Sequence, residues 1–194
     1  PKAVLLALAV PALLISRDDF AETPYYTLVL ASLYGACLVI SSDSFPTLFL
    51  GIEIMSLPVY ALVVLGMLRA QSAEAALKYL VLGGAATATL LLGMSFLYGW
   101  SGMLQLVAFS WALGSNDPLA MAGIALITAA LFLKAAIVPF HAWAPDAYEG
   151  ASAPVTAYMA TIIKAGVLLA ALRVFGTTPV LAPVVGLLAI LPLG

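Results

Sequence analysis

Apolar residues run in long blocks along this chain, and short clusters of proline, glycine and charged residues separate the blocks. Blocks of roughly 20 apolar residues have the length a helix needs to cross a hydrocarbon core of about 30 Å. The pattern predicts seven spans, near 2–16, 25–41, 44–68, 73–98, 118–141, 154–175 and 179–194. Proline marks four of the starts, at Thr23-Pro24, Asp117-Pro118, Ala153-Pro154 and Thr178-Pro179. A first-turn N–H has no helical partner, so its loss there is harmless. Thr23, Asp117 and Thr178 are candidate caps. Ser72 with Glu74 serves the fourth span, the acid lying near the positive end of the helix dipole. Between the fourth and fifth spans, GMLQLVAFSWALGS is too short to cross. It is expected at the interface or along the bundle, with Trp100 and Trp111 at headgroup depth.

Composition removes the soluble alternatives. Hydrophobic residues make up 64% of the 194 and charged residues only 8%, against about 25% charged in soluble domains. The reading is an all-α, polytopic transmembrane helix bundle. A net charge of -2 with no basic or acidic patch gives nucleic acid nothing to bind. Cys37, alone and inside an apolar run, excludes a disulfide framework and reads as packing. The chain begins at Pro1 and stops within an apolar run, as expected of a piece of a longer polypeptide. Arg17 and Arg69 on one side balance Lys2 and Arg173 on the other, so charge bias does not orient the bundle.

Four charges fall inside predicted spans: Glu53, Lys78, Lys134 and Lys164. Each costs about 2.5–3.5 kcal/mol at mid-bilayer, so together they weigh against insertion by about 10 kcal/mol before any pairing. Glu53 and Lys164 lie deep, Lys134 lies deep if its helix continues, and Lys78 is close enough to its span's start to snorkel or pair with Glu74. The plain structural alternative is a buried ion pair that holds helices together. One acid cannot neutralise three lysines, however, so at least one lysine is expected to spend time uncharged.

Proline follows two of these charges at the same offset, Pro58 after Glu53 and Pro139 after Lys134. Each frees the carbonyl four residues back, Ile54 and Ala135, which predicts a helix break or an ordinary kink beside each charge. Exposed backbone at that depth needs protein or water to satisfy it. His141 adds a group that titrates near neutrality, as a relay or as a structural hydrogen-bonder. Asp146 and Glu149 are expected to cap the loop or face water. No haem-spaced histidine pair, CxxC, phosphate loop, GxGxxG or metal constellation is present, so redox chemistry and nucleotide hydrolysis have no support. The remaining equipment suits proton movement.

The segment KAAIVPFHAWAPDAYEGASAPVTAYMATIIKAG (134–166) resembles the signature of the antiporter-like membrane subunits of respiratory complex I, the NADH:quinone oxidoreductases. Its wording fits the N type (subunit 2 in mitochondria) better than the L and M types. GIEIMSLPVYAL (51–62) and AEAALKYLVLGGAATATLLLGMSFLYG (73–99) resemble the same type. The resemblance implies a subunit of about fourteen helices built from two inverted five-helix repeats, each with a broken helix. The first repeat would occupy 24–175, and 179–194 would begin the second. The loops with Arg17 and Arg69 would face the cytoplasm.

By the same resemblance, Glu53 sets the charge state of a lysine partner, Lys134 is the lysine at the broken helix, and Lys164 passes protons onward. Lys78 gains a proton-transfer role, and His141 stays open between relay and support. Quinone reduction elsewhere would change the charge along a polar axis and so shift the Glu53–Lys134 pair. NADH, FMN, iron–sulfur clusters and quinone would be bound by other subunits, leaving this chain without a cofactor. Its partners would be neighbouring antiporter-like and small membrane subunits and the lipid of a bacterial cytoplasmic membrane. The runner-up is a subunit of a monovalent cation/proton antiporter. A third reading is a structural membrane subunit whose charges only fix packing.

Overall fold

A computed structural model describes residues 2–17, 24–65 and 69–176. Helix α1 (Lys2–Ile15), α2 (Tyr25–Ser41), α3 (Phe45–Leu65) and α4 (Ala70–Ser101) are followed by the short α5 (Val107–Leu113). Then come α6 (Pro118–Ala135), α7 (Trp143–Gly150) and a final helix in three parts: α8 (Ala153–Tyr158), a π-helical turn (Met159–Ile163) and α9 (Lys164–Phe175). Among the described residues, four helices are long and apolar enough to cross a bilayer: α3, α4, α6 and the composite 153–175. The expected span 179–194 and the caps Thr23 and Thr178 lie outside the described residues.

Asp117 caps α6 as its sequence predicts, accepting from the N–H groups of Leu119 (2.8 Å) and Ala120 (3.4 Å). Ser72 does not cap. Helix α4 begins at Ala70, before Ser72, which is buried inside its first turns. The 102–115 segment stays at one end of the bundle. Phe45 donates to the Leu104 carbonyl and Leu106 to that of Asp43, while α5 buries Phe109 and leaves Trp111 exposed.

Small residues let the helices approach. A Cβ on Gly35 of α2 would lie 2.2 Å from the Met55 backbone nitrogen of α3, so only glycine fits that crossing. The apolar contacts form two clusters. One gathers Tyr25, Leu33, Met55, Tyr79, Trp143 and Ile162. The other gathers Val39, Leu48, Leu90, Phe109, Leu131 and Val174. On α2 and α3 the chain passes from one cluster to the other within a few residues, so the clusters occupy opposite ends of the bundle. Glu53 sits at that seam on α3, between Ile52 of one cluster and Met55 of the other. Lys134 sits at it on α6, between Leu131 and Ala135.

The two prolines behave differently. Helix α3 runs unbroken through Pro58, contrary to the expected break. Beside the gap, Ser56 donates to the Ile52 carbonyl and Ser32 of α2 donates to that of Met55, so side chains serve the backbone without ending the helix. Helix α6, by contrast, stops at Ala135, short of the expected 141. Ala136 adopts φ 56°, ψ 41°, and is the only non-glycine residue at positive φ among those described. Ala136 N–H bonds to the Leu133 carbonyl and Ile137 N–H to that of Phe132, the paired pattern that closes a helix end. Pro139 then has no N–H with which to resume the helix, and α7 starts only at Trp143.

Candidate functional site

Helix α6 closes immediately after Lys134, leaving that ammonium at the broken end. It donates to Glu53 Oε1 across 3.0 Å, with the lysine side chain 5% exposed and the glutamate 19%. Thr87 of α4 donates to the same carboxylate oxygen at 2.6 Å. The Gly83 carbonyl lies 3.0 Å from the Thr87 hydroxyl, but a single hydroxyl proton favours the shorter, charge-assisted bond. Three helices therefore meet at one carboxylate. A pair this deep is held by geometry and by its extra hydrogen bond, because Coulomb attraction alone does not repay desolvation.

A cavity of about 10 Å³ adjoins the ammonium, lined by Ser56, Tyr60, Tyr79, Trp143 and Ile163 among others. That is close to the least space a single water needs, with hydroxyls on its wall to bind one. Gly83 is on the same wall, and a Cβ there would meet the Tyr60 phenol oxygen at 2.1 Å. Trp143 closes another side. Its indole N–H donates to the Leu133 carbonyl (2.8 Å), and its ring stacks on Tyr79 at 4.6 Å and 7°.

The other predicted residues sit elsewhere, on α4, α9 and the link between α6 and α7. Lys78 is half-exposed and bonded to Glu74 (2.9 Å) and Asp146 (2.8 Å), where Arg69 and Glu149 also line a cleft of about 350 Å³. Its pairing with Glu74 is the one expected. Asp146 on α7 is a second partner that sequence reasoning had left to solvent. Lys164 opens α9 directly after the π-helical turn, its ammonium 5.6 Å from the centroid of the Tyr148 ring. Burial pushes the Tyr148 phenol up to about 12, so it meets the lysine as a neutral ring. His141 is on the exposed link between α6 and α7 and makes no ion pair among the described residues. No cluster of metal-ligating side chains occurs among the described residues.

Sequence reasoning missed Thr87, Asp146, Trp143 and Tyr148. Thr87 carried a signal, as one of two threonines in the apolar ATATL of α4. The others required knowing how α7 folds back.

Fold and site define a polytopic membrane bundle with a titratable pair buried at a broken helix. Residues 42–193 match the family described as NADH:quinone oxidoreductase/Mrp antiporter, transmembrane, and the chain belongs to that family. Over 179 residues it is 41% identical to NADH-quinone oxidoreductase subunit N of Pelobacter propionicus, covering 91% of this chain and 39% of that protein. It superposes with TM-score 0.78 and 36% identity on a chain of respiratory complex I from Thermus thermophilus with bound aureothin, covering 89% of this chain and 38% of that one. A chain of the Mrp complex from a Dietzia species gives TM-score 0.75 at 26% identity, covering 90% and 34%. The chain thus spans about two fifths of the length of the relatives it matches.

Proposed function

We propose that this chain is part of a proton-translocating membrane subunit of an NADH:quinone oxidoreductase, with Glu53, Lys134 and Lys164 on the proton path. The observation that carries the reading is the Lys134–Glu53 pair, buried at a helix end that the sequence itself interrupts. In this reading the pair alternates between two states. With Glu53 at 3.0 Å the ammonium is compensated. If the carboxylate moves away or takes up a proton, an uncompensated ammonium remains in a pocket with almost no solvent, and losing its proton relieves the cost. Re-forming the pair loads a proton again. Charge change at quinone, in another subunit, would drive the alternation.

Lys78, with its cleft, and Lys164, after its π-helical turn, are the donor and acceptor candidates, with His141 a surface group on the link. Pro139 supports the break, whereas α3 passes Pro58 without one. We further assign residues 24–175 to one five-helix repeat of a subunit of about fourteen helices. Its neighbours would be other antiporter-like and small membrane subunits, while NADH, FMN, iron–sulfur clusters and quinone would be bound by other subunits of the complex. The identity to subunit N favours this over a cation/proton antiporter, which would instead exchange sodium or potassium for protons.

The test is Lys134→Ala in the intact complex, with NADH:quinone electron transfer and proton uptake recorded together. Loss of pumping in an assembled enzyme supports the reading. Normal assembly, turnover and pumping would remove its centre.

A further inference from the structure

Helix α7 is only eight residues long, yet three of its side chains each reach a different lysine site. Trp143 donates to the Leu133 carbonyl next to Lys134, Asp146 accepts from Lys78, and the Tyr148 ring lies under Lys164. The helix is pinned at its far end as well. Thr156 donates to the Tyr148 carbonyl at 3.0 Å, and Gly150 abuts Ala75 so closely that a Cβ would lie 2.3 Å from it. Tyr148 therefore has a fixed backbone, and its half-buried ring can present only one face to the start of α9.

We propose that Tyr148 is a positioning residue for Lys164, its π-face holding the ammonium at the mouth of the π-helical turn. The proposal rests on the proton role assigned to Lys164 above. A ring face within about 6 Å attracts a cation without carrying a proton itself. It keeps the ammonium in one rotamer, and it links that rotamer to the helix that also carries Trp143. The backbone at the turn allows this. A π-helical turn is a local widening of the helix, and Lys164 follows it directly, with its ammonium 5.6 Å from the ring centroid of Tyr148 on α7.

The experiment uses the intact complex with Tyr148→Phe, Tyr148→Met and, in parallel, Lys164→Ala, reading assembly, NADH:quinone turnover and protons moved per electron. Phenylalanine keeps the π-face and loses the hydroxyl, whereas methionine keeps bulk and loses the face. The expected result is wild-type pumping with Y148F and roughly a threefold to tenfold loss with Y148M, the range of a cation–π contact at a half-buried site. Should Y148M not assemble, Tyr148→Leu takes its place. Wild-type pumping with Y148M or Y148L overturns the proposal, as does a Y148F as impaired as Y148M, which would make the hydroxyl the working group. Normal pumping with K164A overturns the proton role of Lys164, and this proposal with it. A K164A defect beside a normal Y148M removes only the part played by Tyr148.

Discussion

Taking Glu53 and Lys134 apart one at a time, and then together, separates an ion pair that works from one that only packs. Replacing Glu53 by leucine leaves an ammonium whose side chain is 5% exposed and has lost its carboxylate. Replacing Lys134 by methionine leaves a carboxylate that is 19% exposed and still accepts from Thr87. Removing one partner of a buried pair costs about 3–5 kcal/mol. The geometry puts E53L at the upper end and K134M at the lower. Replacing both by apolar groups of similar volume removes the buried charge altogether, so the double variant is expected within about 1 kcal/mol of wild type for the fold. The coupling energy of the cycle is then several kcal/mol, well above the 0.5 kcal/mol or so seen between independent sites.

The assay is a thermal ramp on membranes from each strain, following loss of the assembled complex, with proton pumping measured on the same preparations. The expected order of stability is E53L below K134M, and both below the double variant. None of the three should pump. If the single variants match wild type, the pair contributes nothing to the fold and its burial is misread. If the double variant is as unstable as the two singles added together, the groups are not coupled. A double variant that assembles and pumps would leave a packing pair and no proton site.

Further outcomes follow from the same geometry. Gly35→Ala places a Cβ 2.2 Å from the Met55 nitrogen, so α2 and α3 must separate; about 1–3 kcal/mol of overpacking is expected, read as reduced assembly of the subunit. Asp117→Ala removes two N–H contacts at the start of α6, with a loss of about 1 kcal/mol in thermal stability and pumping per assembled complex unchanged. Asp146→Asn weakens a half-exposed contact to Lys78 that Glu74 still serves. Its effect on turnover is expected to be small at low ionic strength and to vanish as salt is raised, which a salt titration of the variant against wild type checks.

Hydropathy and helix-end chemistry by themselves determined much of this protein. A bilayer-length apolar run can satisfy its backbone only as a helix, so the starts of α2, α6 and α8 fell within a residue or two of their expected places. The cost of a charge in such a run singled out Glu53, Lys134 and Lys164 without a structure. The same local logic erred where a local rule had a tertiary answer. Pro58 frees the Ile54 carbonyl as any proline does, yet α3 continues through it, while Ser32 of a neighbouring helix and Ser56 bond to the nearby carbonyls of Met55 and Ile52. Pro139 meets a chain that has already turned at Ala136, and there the helix ends.

Only the tertiary structure decided which acid meets which lysine. Glu53 and Lys134 are 81 residues apart, and no periodicity within either helix points to the other. Their meeting depends on how closely α3, α4 and α6 pack, and a Cβ on Gly93 of α4 would lie 2.9 Å from the Ile127 nitrogen of α6, with Thr87 supplied by α4. The path of α7 was equally hidden. Its short run of mixed residues reads as a loop that faces water. Folded back, it brings Trp143, Asp146 and Tyr148 to three lysine sites, because contacts across helices depend on direction in space that spacing along the chain does not carry.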